Sequence, residues 1–167
     1  MLEELTGKPV LGVVPMEKID VDDEDSLSDR LNQKTITEGI DVAVIRLPHI
    51  SNFTDFSVFE LIDGVSLRYV TDKKELGDPD LILLPGTKNT IDDLKWLRQS
   101  GLEGAIIRAA RTTRVIGICG GFQLLGKEMH DPDGVEHGGT MRGLGLLDTK
   151  TVFKEAKTRT RINGHIA

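Results

Sequence analysis

Residues 115–123 read VIGICGGFQ and contain the only cysteine of the chain, Cys119. Gly117 stands two residues before it, and Gly120 and Gly121 follow it directly. This is a Gly-x-nucleophile-x-Gly pattern at the point where an apolar strand is predicted to run into a helix. It is the form of a nucleophile elbow. Side chains two before and two after the nucleophile would collide in so sharp a bend. Gly117 and Gly121 clear that space, and the bend lifts the sulfur off the sheet. A helix starting near Phe122 then turns its amide end toward the sulfur, which favours the anion. Attack on an acyl carbon creates an oxyanion, and the backbone N–H of Gly120 is aimed where that charge develops. A second donor must come from a neighbouring strand end, and Gly86 of LLPGT is the candidate. Losing one such donor typically costs on the order of 3 kcal/mol of barrier. Gln123, in the first turn of the same helix, is placed to contact a polar substrate.

Other readings of these residues exist. A lone cysteine after an apolar strand is often a small buried hydrophobe, and glycine clusters also cradle phosphate. Glycine at both elbow positions with a helix behind favours the exposed nucleophile. GICGG has neither the G-x-G-x-x-G spacing nor a Walker lysine. Gln123 reads equally as an ordinary helix-face residue, while Leu124 and Leu125 read as core. A cysteine nucleophile needs a base, usually a histidine held by a carboxylate. His49 follows a strand end, which is either near the site or simply a loop. His130 closes the predicted elbow helix, about 15 Å from the thiol at 1.5 Å per residue, too far to act. His137, in GVEHGG, reads as solvated, and His165 lies near the end in INGHIA. None stands out as the base.

The bulk properties narrow the class. Of 167 residues, 38% are apolar and 29% charged, as in globular chains. The net charge of −6 leaves no basic excess to neutralise phosphates, so neither nucleic acid nor an acidic membrane surface is an expected partner. One cysteine cannot form an internal disulfide, so a cytoplasmic location is expected. No window approaches the roughly 20 apolar residues of a membrane span. The start, MLEELTGKPV, lacks the layout of a signal peptide. No metal site is expected.

The elements that must position the elbow follow from the pattern. PVLGVVP (Pro9–Pro15) reads as a buried strand, and residues 16–39 as an acidic linker with a short helix over Ser26–Asn32. DVAVIRLP (Asp41–Pro48) is a strand stopped by proline. Asn52 or Thr54 is expected to cap a helix with Phe56, Phe59 and Ile62 on one face. SLRYVT and DLILLPG are strands, the second apolar enough to be covered on both faces. Thr90 is expected to cap a helix with Asp92 and Asp93 in its first turn, where they suit the dipole, and with Gly101 as its stop. LEGAIIRAART is a helix, RVIGIC a strand, and GGFQLLGKEMH a helix. The remainder reads as two late strands on an antiparallel edge. Strand and helix alternate, so the fold class is α/β with a mostly parallel sheet, whose ligands sit at the carboxyl ends of the strands.

VAVIRLPHISNFTDF, LILLPGTKNTIDDL and VIGICGGFQLLG, in that order, resemble the glutamine amidotransferase domains of the cobyric acid synthase type. The resemblance runs from about Gly39 to Ala167. This branch of the triad-type, class I-like amidotransferases is shared with cobyrinic acid a,c-diamide synthases; the elbow alone would also fit other cysteine hydrolases. The resemblance implies a three-layer, flavodoxin-like α/β sandwich with antiparallel edge strands near the C-terminus. It implies that Cys119 is the nucleophile, Gly86 and Gly120 the oxyanion-hole positions, and Gln123 a substrate contact. It implies no cofactor in this domain, with glutamine as substrate. ATP and magnesium would serve a separate synthetase domain that takes a corrinoid. Pro9–Asp25 resembles the end of such a synthetase domain. Residues 1–38 are therefore read as its tail and a linker, and 39–167 as the amidotransferase domain.

The activity so implied is hydrolysis of glutamine through a cysteine thioester. The ammonia would feed the ATP-dependent amidation of adenosylcobyrinic acid a,c-diamide to adenosylcobyric acid, in cobalamin biosynthesis. The family's histidine lies in a Tyr-x-x-His-Gly type stretch. INGHIA resembles the region before it, so His165 is not that histidine. The catalytic histidine and its carboxylate are then expected beyond residue 167, and the isolated chain is expected to be inactive. Two alternatives stay open. One is an amidotransferase with another acceptor, as in cobyrinic acid a,c-diamide synthase or cell-wall amidation. The other is a catalytically dead glutamine-binding regulatory module.

Overall fold

Apolar side chains on consecutive residues, rather than on alternate ones, mark strands covered on both faces. Those runs form the centre of the fold. The computed structural model describes residues 2–12 and 39–156. After a short helix with no buried residue, α1 (Leu2–Thr6), come β1 (Ile40–Ile45), β2 (Ile50–Ser51), a 3-10 helix (Phe53–Leu61), β3 (Val65–Val70) and α2 (Lys73–Leu76). There follow β4 (Leu81–Leu84), β5 (Gly86–Thr87), α3 (Thr90–Gln99), α4 (Leu102–Ala109), β6 (Arg114–Gly117) and α5 (Gly120–Leu125). The described chain closes with β7 (Glu128–Asp131), β8 (Gly139–Arg142) and β9 (Lys150–Val152).

Four strands form a parallel sheet in the order β3-β1-β4-β6. The α/β class expected from the alternation is the one observed. Val42 to Ile45 of β1 and Ile82 to Leu84 of β4 are all buried. Leu94 and Leu97 of α3, Leu102 and Ile106 of α4, and Leu124 of α5 are each 0% exposed and join the same core. Each such side chain contributes about 1.5–3 kcal/mol through burial. Among the described strands β6 lies at the edge of this sheet, and its Ile116 is 47% exposed.

Several local expectations are corrected. Pro9–Gly12 is exposed and pairs in no sheet; the rest of that predicted strand, and the Ser26–Asn32 helix, lie outside the described residues. The segment after Asn52 is a 3-10 helix. Asn52 precedes it with φ 53 and no side-chain cap, Phe53 and Phe56 are its buried residues, and Ile62 is 47% exposed. Asn89, not Thr90, caps α3: its side chain accepts from the Asp92 N–H at 3.1 Å. The hydroxyl of Thr90 is turned instead toward Gln123.

The elbow helix is also shorter than its sequence suggests. α5 ends at Leu125, and His130 lies in β7, so the helical spacing between His130 and the thiol does not hold. The chain leaves the helix because its backbone finds strand partners, with Lys127 N–H donating to Thr149 O at 2.8 Å and Gly143 N–H to Lys127 O at 2.9 Å. Long-range pairing outweighs helix propensity here. β7 pairs antiparallel with β8 and parallel with β9, in a separate three-stranded sheet. The antiparallel pair thus starts earlier in the chain than expected.

Two features constrain the chain that follows β6. The first is the β6–α5 junction, where a side chain has no room. A Cβ on Gly121 would stand 2.0 Å from the Leu84 carbonyl oxygen, and one on Gly117 would stand 2.5 Å from the Gly121 oxygen. The second is Asp131, buried at 0% exposure, whose carboxylate accepts from the N–H groups of Val135, Glu136, His137 and Gly138 at 2.7–2.9 Å. Burial on its own would raise this carboxyl. The N–H groups of Gly138, His137, Glu136 and Val135 outweigh it and hold the group well below the usual carboxylate range. The loop so folded docks on α3, with Ile91 N–H donating to Glu136 Oε2 at 2.9 Å.

Two outcomes are expected. Gly117→Val or Gly121→Val must push main chain off the central strand, at a cost on the order of 3 kcal/mol or more. Unchanged thermal midpoints for both variants would mark an ordinary turn. Asp131→Asn is expected to lower the midpoint at neutral pH. A carboxyl held low stabilises above its unfolded pKa and loses that contribution on acidification, so the gap to wild type should close as the pH falls from about 5 toward about 2. A gap independent of pH would show that the charge is not what the four amides recognise.

Candidate functional site

The parallel pairing of β4 with β6 runs to Leu84 opposite Gly117, and Ile118 N–H extends it by donating to Leu84 O at 2.9 Å. The next residue breaks the direction. Cys119 has φ 52 and ψ −111, a conformation that ordinarily costs an L-residue about 1–3 kcal/mol. Among the described non-glycine residues only Asn52 shares a positive φ. The bend is held from both sides. Gly121 N–H donates to Ile118 O at 2.8 Å, and Gln123 N–H to Cys119 O at 3.2 Å. The thiol is exposed, whereas Gly120 and Gly121 beneath it are buried. The buried-hydrophobe reading of this cysteine is thereby excluded.

The two glycine-bearing loops singled out by the sequence meet at this point. A Cβ on Gly86 would lie 3.8 Å from the Cβ of Cys119, and one on Gly120 would lie 2.5 Å from the Thr87 methyl. Gly86 and Thr87 form β5, which pairs antiparallel with β2: Ile50 opposite Thr87 and Ser51 opposite Gly86. The Ser51 hydroxyl oxygen stands 2.9 Å from where a Gly86 Cβ would be. Gln123 is half-buried one turn into α5, and its Oε1 accepts from the Thr90 hydroxyl at 3.3 Å.

The histidines separate clearly. His49, immediately before β2, is half-exposed, and its Nδ1 lies 2.8 Å from Asp93 Oδ1. Asp93 is 0% exposed, and its Oδ2 accepts from the Thr87 hydroxyl at 2.5 Å. His130 is committed to Glu128 and Thr140 on the small sheet. His137 lies on the exposed side of the Asp131 loop, 3.7 Å from Asp92. His165 lies outside the described residues. No described histidine hydrogen-bonds the Cys119 sulfur.

Sequence reasoning missed Asp93, Thr87, Ser51 and Thr90. Asp93 was expected only to complement the helix dipole, yet it points inward. Its signal was position: it shares the stripe of Thr90, Leu94 and Leu97, all buried. The two-residue ribbon of β2 and β5 is too short for any period to show.

Among the described residues no group of three or more His, Cys, Asp or Glu could hold a metal ion. No described helix is long and apolar enough to cross a membrane. A surface cleft is lined by Asp41 of β1, Arg68 and Tyr69 of β3 and Glu75 of α2, and Cys119 is not among its lining residues.

The chain is similar to known proteins over most of its length. The family model described as the CobB/CobQ-like glutamine amidotransferase domain matches residues 41–167. A cobyric acid synthase of Ruminiclostridium cellulolyticum is 56% identical over 165 residues, covering 98% of this chain and 32% of that protein. That of Alkaliphilus metalliredigens is 52% identical over 169 residues, 99% of this chain and 34% of the relative. That of Yersinia enterocolitica is 51% identical over 168 residues, 98% and 32%. The chain thus spans about a third of the length of the curated relatives it matches. A solved crystal structure of a glutamine amidotransferase superposes with a TM-score of 0.50 at 21% identity, over 66% of this chain and 55% of that one, which shows a shared fold. The matched residues contain the described parallel sheet from its second residue onward and the elbow, and the chain belongs to the family of CobB/CobQ-like glutamine amidotransferase domains.

Proposed function

We propose that this chain is the glutamine-hydrolysing part of a cobyric acid synthase. The single observation that carries the reading is the exposed Cys119 held at φ 52 between Gly117 and Gly121. The thiolate attacks the side-chain amide carbon of glutamine and forms a tetrahedral oxyanion. The N–H groups of Gly120 and Gly86 are the proposed donors to that oxygen. Collapse expels ammonia and leaves a glutamyl thioester, which water hydrolyses to glutamate and free thiol. With its oxygen engaged by Thr90, Gln123 offers its amide NH₂ group to the substrate.

The remaining assignments rest on family and relatives. Residues 39–167 are the amidotransferase domain; residues 1–38 are the tail of a synthetase domain and a linker. In that domain ATP and magnesium would activate carboxylates of adenosylcobyrinic acid a,c-diamide. The ammonia would convert them to the amides of adenosylcobyric acid, in the cytoplasm. The names of the relatives and their threefold greater length support this reading. The base is a histidine with its carboxylate outside residues 1–167. In support, no described histidine hydrogen-bonds the Cys119 sulfur.

Two measurements test the reading. Cys119 is expected to react with iodoacetamide faster than glutathione does at a pH of about 6.5, the anionic form being the nucleophile. A rate at or below that of glutathione would remove the activated sulfur. The purified 167-residue chain is expected to release almost no ammonia from glutamine. Robust turnover would show that one of its own histidines serves as base.

A further inference from the structure

A carboxylate at 0% exposure on the apolar stripe of α3 needs partners, because an unpaired buried charge is strongly destabilising. Asp93 has three, and they come from two segments only. Thr87 Oγ1 donates to Oδ2 at 2.5 Å. His49 contributes its ring Nδ1 at 2.8 Å and its backbone N–H at 3.2 Å to Oδ1. Thr87 belongs to β5 and His49 leads into β2, and Lys88 N–H donates to His49 O at 2.9 Å between them. The Thr87 hydroxyl has its proton committed to Asp93, because its lone pair accepts from Asn89 N–H at 3.0 Å. Asp93 therefore pins both strands of the small ribbon to α3.

That ribbon is the wall of the elbow. The Thr87 methyl fills the space over Gly120, and Gly86 lies 3.8 Å, measured to its would-be Cβ, from the Cβ of Cys119. A shift of β5 moves the Gly86 amide and the ceiling of Gly120 together. Misplacement of a reacting geometry by about 1 Å can cost on the order of 100-fold in rate.

We propose that Asp93 is a positioning residue for glutamine attack at Cys119, acting through Thr87 and His49 to fix the Gly86–Thr87 strand against the elbow. The inference rests on the acyl-transfer reading above. It assigns a task to a buried carboxylate that touches neither thiol nor substrate. It also makes the His49 ring, whose Nδ1 meets Asp93, part of the strut that holds the approach to β2.

The test uses the full-length enzyme that carries this chain together with the base proposed above, and two electrophiles, each read on the peptide that contains Cys119. Iodoacetamide reports on the elbow sulfur alone. The glutamine analogue 6-diazo-5-oxo-L-norleucine alkylates the same thiol with loss of dinitrogen, after binding as glutamine does. Mass spectrometry follows both. Asp93→Asn and Thr87→Val are expected to slow labelling by the analogue at saturation by about tenfold or more, with half-saturation changed by less than about twofold. Thr87→Ser, which keeps the hydroxyl, should restore the rate. Iodoacetamide should react with all of them at the wild-type rate. Should Asp93→Asn fail to fold, the Thr87→Val and Thr87→Ser pair carries the test. An unchanged analogue rate in Thr87→Val, a parallel fall in both reagents, or no recovery in Thr87→Ser would each overturn the assignment. If wild type reacts with iodoacetamide but never with the analogue, the acyl-transfer reading falls and this inference with it. That failure is recognised by appearing before any substitution is made.

Discussion

The backbone of Cys119 holds its strained turn because the carbonyl end of β4 backs it. Leu84 O accepts from Ile118 N–H, and the same oxygen sits where a side chain on Gly121 would have to go. A central strand, buried on both faces and paired on both edges, is a rigid support. The strain is local and the support is shared by the whole sheet, which is how a fold keeps an unfavourable conformation at a reactive residue. Everything proposed for the sulfur follows from that contact: its exposure, its place at the carboxyl edge of the sheet and the approach of β5 beside it.

Two buried carboxylates organise the surroundings by different means. Asp131 satisfies itself with four successive backbone amides and so folds its own loop. Asp93 reaches across elements and ties α3 to β5 and to the approach of β2. The first is local and sets a loop; the second is long-range and sets a relation between strands. α3 is the common anchor, since Ile91 receives the Glu136 carboxylate while Asp93 faces inward two residues later.

The main strands were legible because a doubly covered strand must be apolar at consecutive positions, and Val42–Ile45 and Leu81–Leu84 are. The elbow was legible because steric need leaves no choice at Gly117 and Gly121. What could not be read depends on distant partners. Nothing near His130 in sequence reveals that its segment would leave a helix for a strand, since the partners are at 139–142 and 150–152. Asn89 and Thr90 are both good caps by type; only the contact with Gln123 decides between them. The roles of Gly86, Gly120 and Gln123 were suggested by resemblance. Their neighbourhood became visible only when β5 was seen beside the thiol.

The exposed sulfur has no sibling, because the 167 residues contain a single cysteine. Oxidation of this sulfur to a sulfenic acid therefore finds no resolving thiol within the chain. The oxidised group either condenses with a small thiol from its surroundings, which is reversible, or proceeds to the sulfinic acid, which is not. The reducing power of the medium thus governs how long such a chain keeps its nucleophile.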